Sequence, residues 1–128
     1  MAQVSLPHPL PSDVAQTVAD RFRLLGDPTR LRLVDLLRDG EQTVGALARE
    51  LGCSQANTSK QLALLADGGL LERRREGLRC YYSIADGAVI GICDAVCESL
   101  RQHLGRRADA LRPPAAQSRE RSASTSAT

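Results

Sequence analysis

The chain has 128 residues, a size typical of one small domain, and its formal net charge is only +2. Hydrophobic residues make up 42% and aromatic residues 2%, so the core must consist of Leu, Val, Ile and Ala, which suits packed helices. No apolar run approaches the roughly 20 residues of a membrane span, which excludes that class. The low net charge does not by itself indicate a nucleic-acid binder. Whether the chain could bind nucleic acid depends on how its charges are distributed locally.

The first residues lack the basic start and apolar run of a secretory signal. We predict a flexible leader over residues 1–12 and a cytoplasmic location. Thiols stay reduced there, so the four cysteines are expected to be buried, metal-binding or redox-active rather than structural disulfides.

Two helices are predicted in the first part of the chain. Ser12–Asp13 is expected to begin the first helix, which ends near Leu25. Asp27 is the predicted N-cap of the second, and Pro28 occupies its first turn, where a missing N–H costs nothing. A wide apolar face makes this second helix the predicted centre of the core, through Leu31, Leu33, Val34, Leu36 and Leu37.

The next segment predicts a third helix, a tight turn and a fourth helix. Thr43 is expected to cap the third, and Ser54 the fourth, which ends near Asp67. Inward-facing positions are Leu47, Ala48 and Leu51 on the third helix, and Thr58, Leu62 and Leu65 on the fourth. The opposite face of the fourth helix carries small and polar residues, namely Ala56, Asn57, Ser59, Lys60 and Ala63.

A β-hairpin is predicted after the fourth helix. Leu70 and Leu71 begin a strand, Glu76–Gly77 turns the chain, and alternating positions of the return strand carry Leu78, Cys80, Tyr82 and Ile84. The order helix, turn, helix, hairpin predicts a mainly α fold with a small β-hairpin, the winged helix-turn-helix.

A last helix is predicted after Asp86, its expected cap. It carries a seam spaced four, three, four, three, made of Val89, Cys93, Val96, Leu100 and His103, with Ile90, Cys97 and Leu104 beside it. That spacing is typical of paired helices and predicts a dimer interface. The folded domain is expected to cover residues 13–111, and residues 112–128 are predicted to be disordered because they are polar and proline-rich.

The predicted partner is double-stranded DNA, because the second helix of a helix-turn-helix enters the major groove and the wing adds contacts. The candidate contacts are Ser54, Gln55, Asn57, Ser59, Lys60, Gln61, Arg73, Arg74, Arg75 and Arg79. Gln and Asn can bond adenine edges bidentately, whereas Ser and Lys position the helix on phosphates. The alternative is an ordinary surface helix with a solvated hairpin.

Three stretches resemble a known family: LLGDPTRLRLVDLL, VGALARELGCSQANTSKQLALLADGGLL and RREGLRCYYSI. They closely resemble the ArsR/SmtB bacterial repressors over roughly Arg23 to Ile84. The resemblance implies a homodimer paired through its first and last helices. Such proteins bind a near-palindromic operator and release it when an inducer binds, often a metal ion, arsenite or a reactive sulfur species. Gln61 stands where relatives often carry histidine, so the operator sequence is not implied.

The inducer positions of that family are only partly matched. Thr43 and Gly45 stand where one site has a Cys-x-Cys pair. Asp86 matches the first ligand of a second site, whose other positions hold Ala88, Ser99 and Gln102. One carboxylate cannot hold zinc, which takes four ligands. Asp35 stands near the place where reactive-sulfur sensors carry a cysteine on the second helix.

Cys93 and Cys97 are the remaining candidates for inducer sensing. At i, i+4 their Cβ atoms lie about 5–6 Å apart, whereas a disulfide needs about 3.5–4.5 Å. Arsenite or a soft metal ion bridging both sulfurs, or a longer sulfur bridge, fits this gap better. Cys80, or a cysteine or His103 of a second protomer, could supply a third ligand.

Other interpretations remain open at this point. Buried cysteines also pack as small hydrophobic residues, and packing is the favoured role for Cys80 and Cys53. A DNA-binding regulator without a small inducer is the main alternative. A thiol-redox enzyme is not favoured, because the sequence offers no Cys-x-x-Cys motif and no obvious general base.

Overall fold

The computed structural model describes residues 6–111, with side chains for residues 6–104. The elements are α1 (Ser12–Leu25), α2 (Pro28–Leu36), a 3-10 turn (Leu37–Asp39), β1 (Gln42–Thr43), α3 (Val44–Leu51), α4 (Gln55–Asp67), β2 (Leu71–Glu76), β3 (Arg79–Ile84) and α5 (Ala88–Leu111). This order confirms the predicted mainly α fold. Residues 1–5 of the predicted leader and the whole predicted tail, residues 112–128, lie outside the described residues. The chain divides into two compact units after Ile90.

Short-range caps begin three of the helices where the sequence predicted. The Asp27 carboxylate accepts from the Arg30 N–H at 3.1 Å, and the Thr43 hydroxyl accepts from the Ala46 N–H at 3.1 Å. The Ser54 hydroxyl accepts from the Asn57 N–H at 3.1 Å. Each bond satisfies a backbone donor that has no partner inside the helix. α1 begins at Ser12 and ends at Leu25, as predicted, but its N-cap is Pro11 and no side chain caps it.

The sheet has three antiparallel strands in the order β1–β3–β2, so the prediction of a two-stranded hairpin was incomplete. In β1, Gln42 pairs with Tyr82 and Thr43 pairs with Tyr81. A strand of two residues is too short to display alternation, and its sequence therefore gives no strand signal. Thr43 both pairs with β3 and caps α3, so the sheet continues directly into the helix-turn-helix.

Leu78 lies at the tip of the wing rather than in the return strand. Glu76 pairs with Arg79, which leaves Gly77 and Leu78 as the turn, and the φ of +61° at Gly77 suits a tight hairpin. Leu78 is 106% exposed, so the prediction that it alternates with Cys80 on an inward face was wrong. Tyr82 is buried, as predicted, and Cys80 and Ile84 pack against the core.

The core joins α1–α4, the sheet and the first turn of α5. Its members are Leu25, Leu33, Val34, Leu37, Val44, Leu47, Leu51, Leu62, Leu65, Leu70, Leu71, Tyr82 and Val89. Thr58 is buried with them, and its hydroxyl donates to the Ser54 carbonyl at 2.9 Å. Leu31, predicted inside, is 40% exposed, because it lies two residues from the fully buried Leu33 and therefore on the other side of α2.

α5 begins at a side-chain cap, as predicted. The Asp86 carboxylate accepts from the Ala88 N–H at 3.0 Å and also pairs with Arg21 of α1 at 3.3 Å. Val89 was predicted in a dimer seam, but it is buried, because it lies in the first turn of α5, where the helix packs on the core. Further along, Val96, Leu100 and Leu104 are 53%, 50% and 45% exposed. No helix in the described part of the chain is long and apolar enough to cross a membrane.

Candidate DNA-binding surface

The turn between α3 and α4 depends on Gly52. Its φ of +68° is the left-handed conformation that ends helices, and a side chain there would be strained. The Gly52 N–H donates to the Arg49 carbonyl at 3.2 Å, and the Cys53 N–H donates to the Ala48 carbonyl at 3.1 Å. These bonds satisfy the last carbonyls of α3 and allow Ser54 to begin α4 at once.

The orientation of α4 is fixed by its buried side. Thr58, Leu62 and Leu65 each have no exposed surface, and they follow one helical stripe. The exposed side carries Gln55, Ala56, Asn57, Ser59 and Lys60. This face of small and polar side chains can approach a groove closely and offers donors and acceptors to base edges and phosphates.

Gln61, another predicted contact, lies at the border of that face. It is half-buried, and its Oε1 accepts from Nη1 of Arg30 at 2.9 Å. Arg30 was not singled out by the sequence, because it lies 31 residues away in α2 and nothing local indicates the pairing.

The wing exposes Arg73 and Arg75 on β2 and Arg79 at the start of β3. Arg75 and Arg79 make no ion pair with any described residue. Arg73 lies opposite Tyr82; burial raises the pKa of the Tyr82 phenol, and this nearby guanidinium partly offsets the rise. The wing therefore presents positive charge that suits contacts to the DNA backbone.

Arg74 differs from the other three arginines. It donates to Glu41 through Nε at 3.0 Å and Nη2 at 2.7 Å, and to Glu76 through Nη1 at 2.6 Å. Its guanidinium also lies 4.4 Å from the centre of the Tyr81 ring. The hydrogen bonds to Glu41 and Glu76 raise the pKa of Arg74, and the same contact lowers the pKa of Glu41. Glu41 and Tyr81 were missed by the sequence analysis.

The four cysteines occupy different environments, and all are thiols rather than disulfides. Cys53 and Cys80 are half-buried and pack against the core, and the Cys53 thiol contacts the Leu51 carbonyl at 3.8 Å. On α5, Cys93 is half-buried and Cys97 is exposed. Within residues 6–104, no group of three or more His, Cys, Asp or Glu side chains could hold a metal ion.

Comparisons with known proteins agree with this geometry. The family model for a helix-turn-helix domain matches residues 25–74. A transcriptional repressor SmtB homolog from Synechocystis is 36% identical, over 75% of this chain and 73% of that protein. The homodimeric winged helix-turn-helix DNA-binding domain of a possible ArsR-family regulator from Mycobacterium bovis has a TM-score of 0.66 and 36% identity, covering 81% of this chain and 94% of that one. The chain belongs to the ArsR/SmtB family.

A further relative is named for mercury resistance. A probable mercury resistance operon repressor from Streptomyces lividans is 38% identical, over 69% of this chain and 66% of that protein. As a family member, the protein described here is a DNA-binding transcriptional repressor.

Thr43 and Asp86, which stand at positions associated with inducers in the ArsR/SmtB family, stabilise helix ends in this structure. The Thr43 hydroxyl caps α3, so this side chain is engaged in holding the helix-turn-helix. Asp86 caps α5 and pairs with Arg21, so its carboxylate already has a cationic partner.

Proposed function

We propose that the protein is a homodimeric repressor that binds a near-palindromic operator through α4 and the wing. The exposed face of α4, fixed by the fully buried Thr58, Leu62 and Leu65, is the observation that carries this proposal. The proposed groove contacts are Ser54, Gln55, Asn57, Ser59, Lys60 and Gln61. The proposed wing contacts are Arg73, Arg75 and Arg79, with Arg74 acting mainly in the sheet because its guanidinium is engaged by Glu41 and Glu76.

Dimerisation is proposed to use the first and last helices. Val96 and Leu100 of the predicted seam, and Leu104 beside it, present exposed apolar surface on α5, and the alternating four- and three-residue spacing of that seam lets helices pair. The Mycobacterium bovis relative is homodimeric, which supports the same assembly here. A two-fold dimer places its recognition helices about one DNA turn apart, which is why the operator should be near-palindromic.

The proposed trigger is an inducer that acts on Cys93 and Cys97. Two thiolates one helical turn apart select soft partners, among them arsenite, cadmium, lead, copper(I) and mercury(II). The mercury resistance repressor from Streptomyces lividans supports this chemistry. A reactive sulfur species could bridge the same two sulfurs. A third ligand would come from the partner protomer, because two sulfurs make a weak site for ions that take three or four ligands.

Binding at these thiols is proposed to shift the paired last helices and alter the distance between the two recognition helices. The operator no longer matches, and the repressor is released. The coupling is reciprocal, so DNA weakens inducer binding by the same factor by which the inducer weakens DNA binding.

A gel-shift titration with the protein's own promoter region tests the proposal. Wild-type protein should bind, and mercury(II), arsenite or polysulfide should release the DNA. The Cys93→Ser, Cys97→Ser variant should bind equally well and resist release, whereas the matched control Cys53→Ala, Cys80→Ala should respond like wild type. Release of the Cys93→Ser, Cys97→Ser variant at wild-type inducer concentrations contradicts the sensor. A wild-type protein that no inducer releases favours the alternative regulator, whose cysteines only pack.

A further inference from the structure

The contact between Arg30 and Gln61 joins α2 to the recognition helix. Nη1 of Arg30 donates to Oε1 of Gln61 at 2.9 Å. The rest of the guanidinium faces the end of α1, where Nε donates to the Leu24 carbonyl at 2.6 Å and Nη2 to the Arg23 carbonyl at 3.3 Å. Arg30 is thus held at three points and has little freedom to turn away from Gln61.

This contact fixes the polarity of the Gln61 amide. A guanidinium carries only donors, so the group that faces it must be the amide oxygen and never the NH2 group. Turning the amide by half a rotation would place two donors against each other. Arg30 therefore holds Gln61 with its oxygen inward and its NH2 group on the opposite side.

The NH2 group of Gln61 reaches solvent. It makes no hydrogen bond with another described residue, and no side-chain nitrogen or oxygen in the described part of the chain is buried without a partner. Gln61 also follows Asn57 by four residues, so the two side chains are neighbours on one side of α4. The donor is therefore displayed next to the exposed face proposed to enter the groove.

An amide that presents only donors reads a different base from an amide that is free to turn. Adenine is read bidentately when the amide oxygen accepts from N6 while the NH2 group donates to N7. At Gln61 the oxygen is directed to Arg30. Guanine offers two acceptors in the major groove, N7 and O6, and no donor, so it complements the NH2 group alone.

We propose that Arg30 is a positioning residue that sets base preference: by fixing the Gln61 amide, it makes the recognition helix favour guanine over adenine at one position of each half-site. This inference rests on the proposed operator binding. The expected guanine preference over adenine at that position is about tenfold, the size of one well-placed base contact.

The test is selection of bound duplexes from a random-sequence pool by the full-length protein and its variants. The decisive variant is Gln61→Glu, because its carboxylate still accepts from Arg30 but has no NH2 group. The link between α2 and α4, and therefore the melting temperature, should be retained. The preference at one position per half-site should move from guanine to cytosine, whose N4 donates to a carboxylate. The base preferences at all other positions should stay unchanged. A general effect of the added negative charge would instead alter several positions.

Arg30→Met is the second variant, and it releases the amide. If the protein folds, adenine should become as acceptable as guanine at the same position. Arg30→Lys keeps a donor but cannot hold two α1 carbonyls and Gln61 together, so it should give an intermediate preference.

Two results overturn the inference in distinguishable ways. If wild type and Gln61→Glu enrich the same base at every position, Gln61 does not read a base, while operator binding itself stands. If wild-type protein enriches no sequence at all, the proposed operator binding fails and this inference fails with it.

Discussion

Arg74 reaches Glu41 across the middle strand of the sheet and donates two hydrogen bonds to its carboxylate, at 3.0 Å and 2.7 Å. Arg74 lies on β2, Glu41 precedes β1, and Tyr81 of β3 lies beneath the guanidinium at 4.4 Å. The paired geometry is the stronger form of an arginine–carboxylate contact, and the aromatic ring adds a cation–π contact. One side chain therefore links all three strands.

The Arg74–Glu41 contact predicts a pH-dependent stability difference. Arg74 lowers the pKa of Glu41 below 4.5 in the folded protein, so the contact stabilises the fold above pH 4.5 and is lost as the pH falls through the lowered pKa. Glu41→Gln should melt below wild type at neutral pH, and the gap should close in acid. Thermal unfolding between pH 3 and 7 measures this. Glu72→Gln, the control, should show no such gap, and a gap that widens in acid would contradict the assignment.

The wing arginines are predicted to divide into two kinds. Arg75→Ala should lower the slope of log K against log salt concentration by about 0.9, the value for one lost phosphate contact, and leave the melting temperature unchanged. Arg74→Ala should instead lower the melting temperature, with a smaller change in slope, because its guanidinium is already engaged within the sheet. Fluorescence anisotropy with one labelled duplex at several salt concentrations provides the slopes. Equal slopes for the two variants would show that Arg74 also contacts DNA.

Ser54 is predicted to have two separable roles. Ser54→Ala removes the N-cap of α4 and should cost about 1 kcal/mol in the free energy of unfolding. Ser54→Asp keeps a good cap and should cost much less, but its negative charge at the DNA face should weaken DNA binding. Urea unfolding and gel shifts on both variants separate the roles. Unchanged DNA binding by Ser54→Asp would place the start of α4 away from the phosphates.

The exposed apolar positions of α5 are predicted to form the dimer interface. Leu100→Glu should convert the dimer to monomers in sedimentation experiments and weaken operator binding at least tenfold, because the two half-sites are then bound independently. Leu78→Glu, at the exposed wing tip, places the same charge elsewhere and should remain dimeric. A dimeric Leu100→Glu protein would exclude this surface from the interface.

Sequence reasoning succeeded where the deciding interactions are local. The caps at Asp27, Thr43 and Ser54 each act three residues along the chain, and the buried stripe of α4 is visible as a period of three to four residues. These local features were enough to predict the helix-turn-helix and the exposed face of α4.

Interactions between distant residues could not be predicted in the same way. Gln61 and Arg30 are 31 residues apart, and Arg74 and Glu41 are 33 residues apart, so no short pattern contains both partners. The sequence consequently assigned Gln61 and Arg74 simply as DNA contacts. Val89 was misplaced for a related reason, because an apolar spacing fits both a core and a dimer seam, and only packing distinguishes the two.

The double role of Thr43 has a consequence for how the protein meets DNA. Thr43 pairs with Tyr81 in the sheet and caps α3 in the same turn of chain, so the wing cannot open at β1 without disturbing the start of α3. Amide hydrogens of β1 and the first turn of α3 should therefore exchange together, as one cooperative unit. Because Thr43 already joins the sheet to α3 in the free protein, binding DNA orders little additional chain there, and more of the free energy of the DNA contacts is retained as affinity.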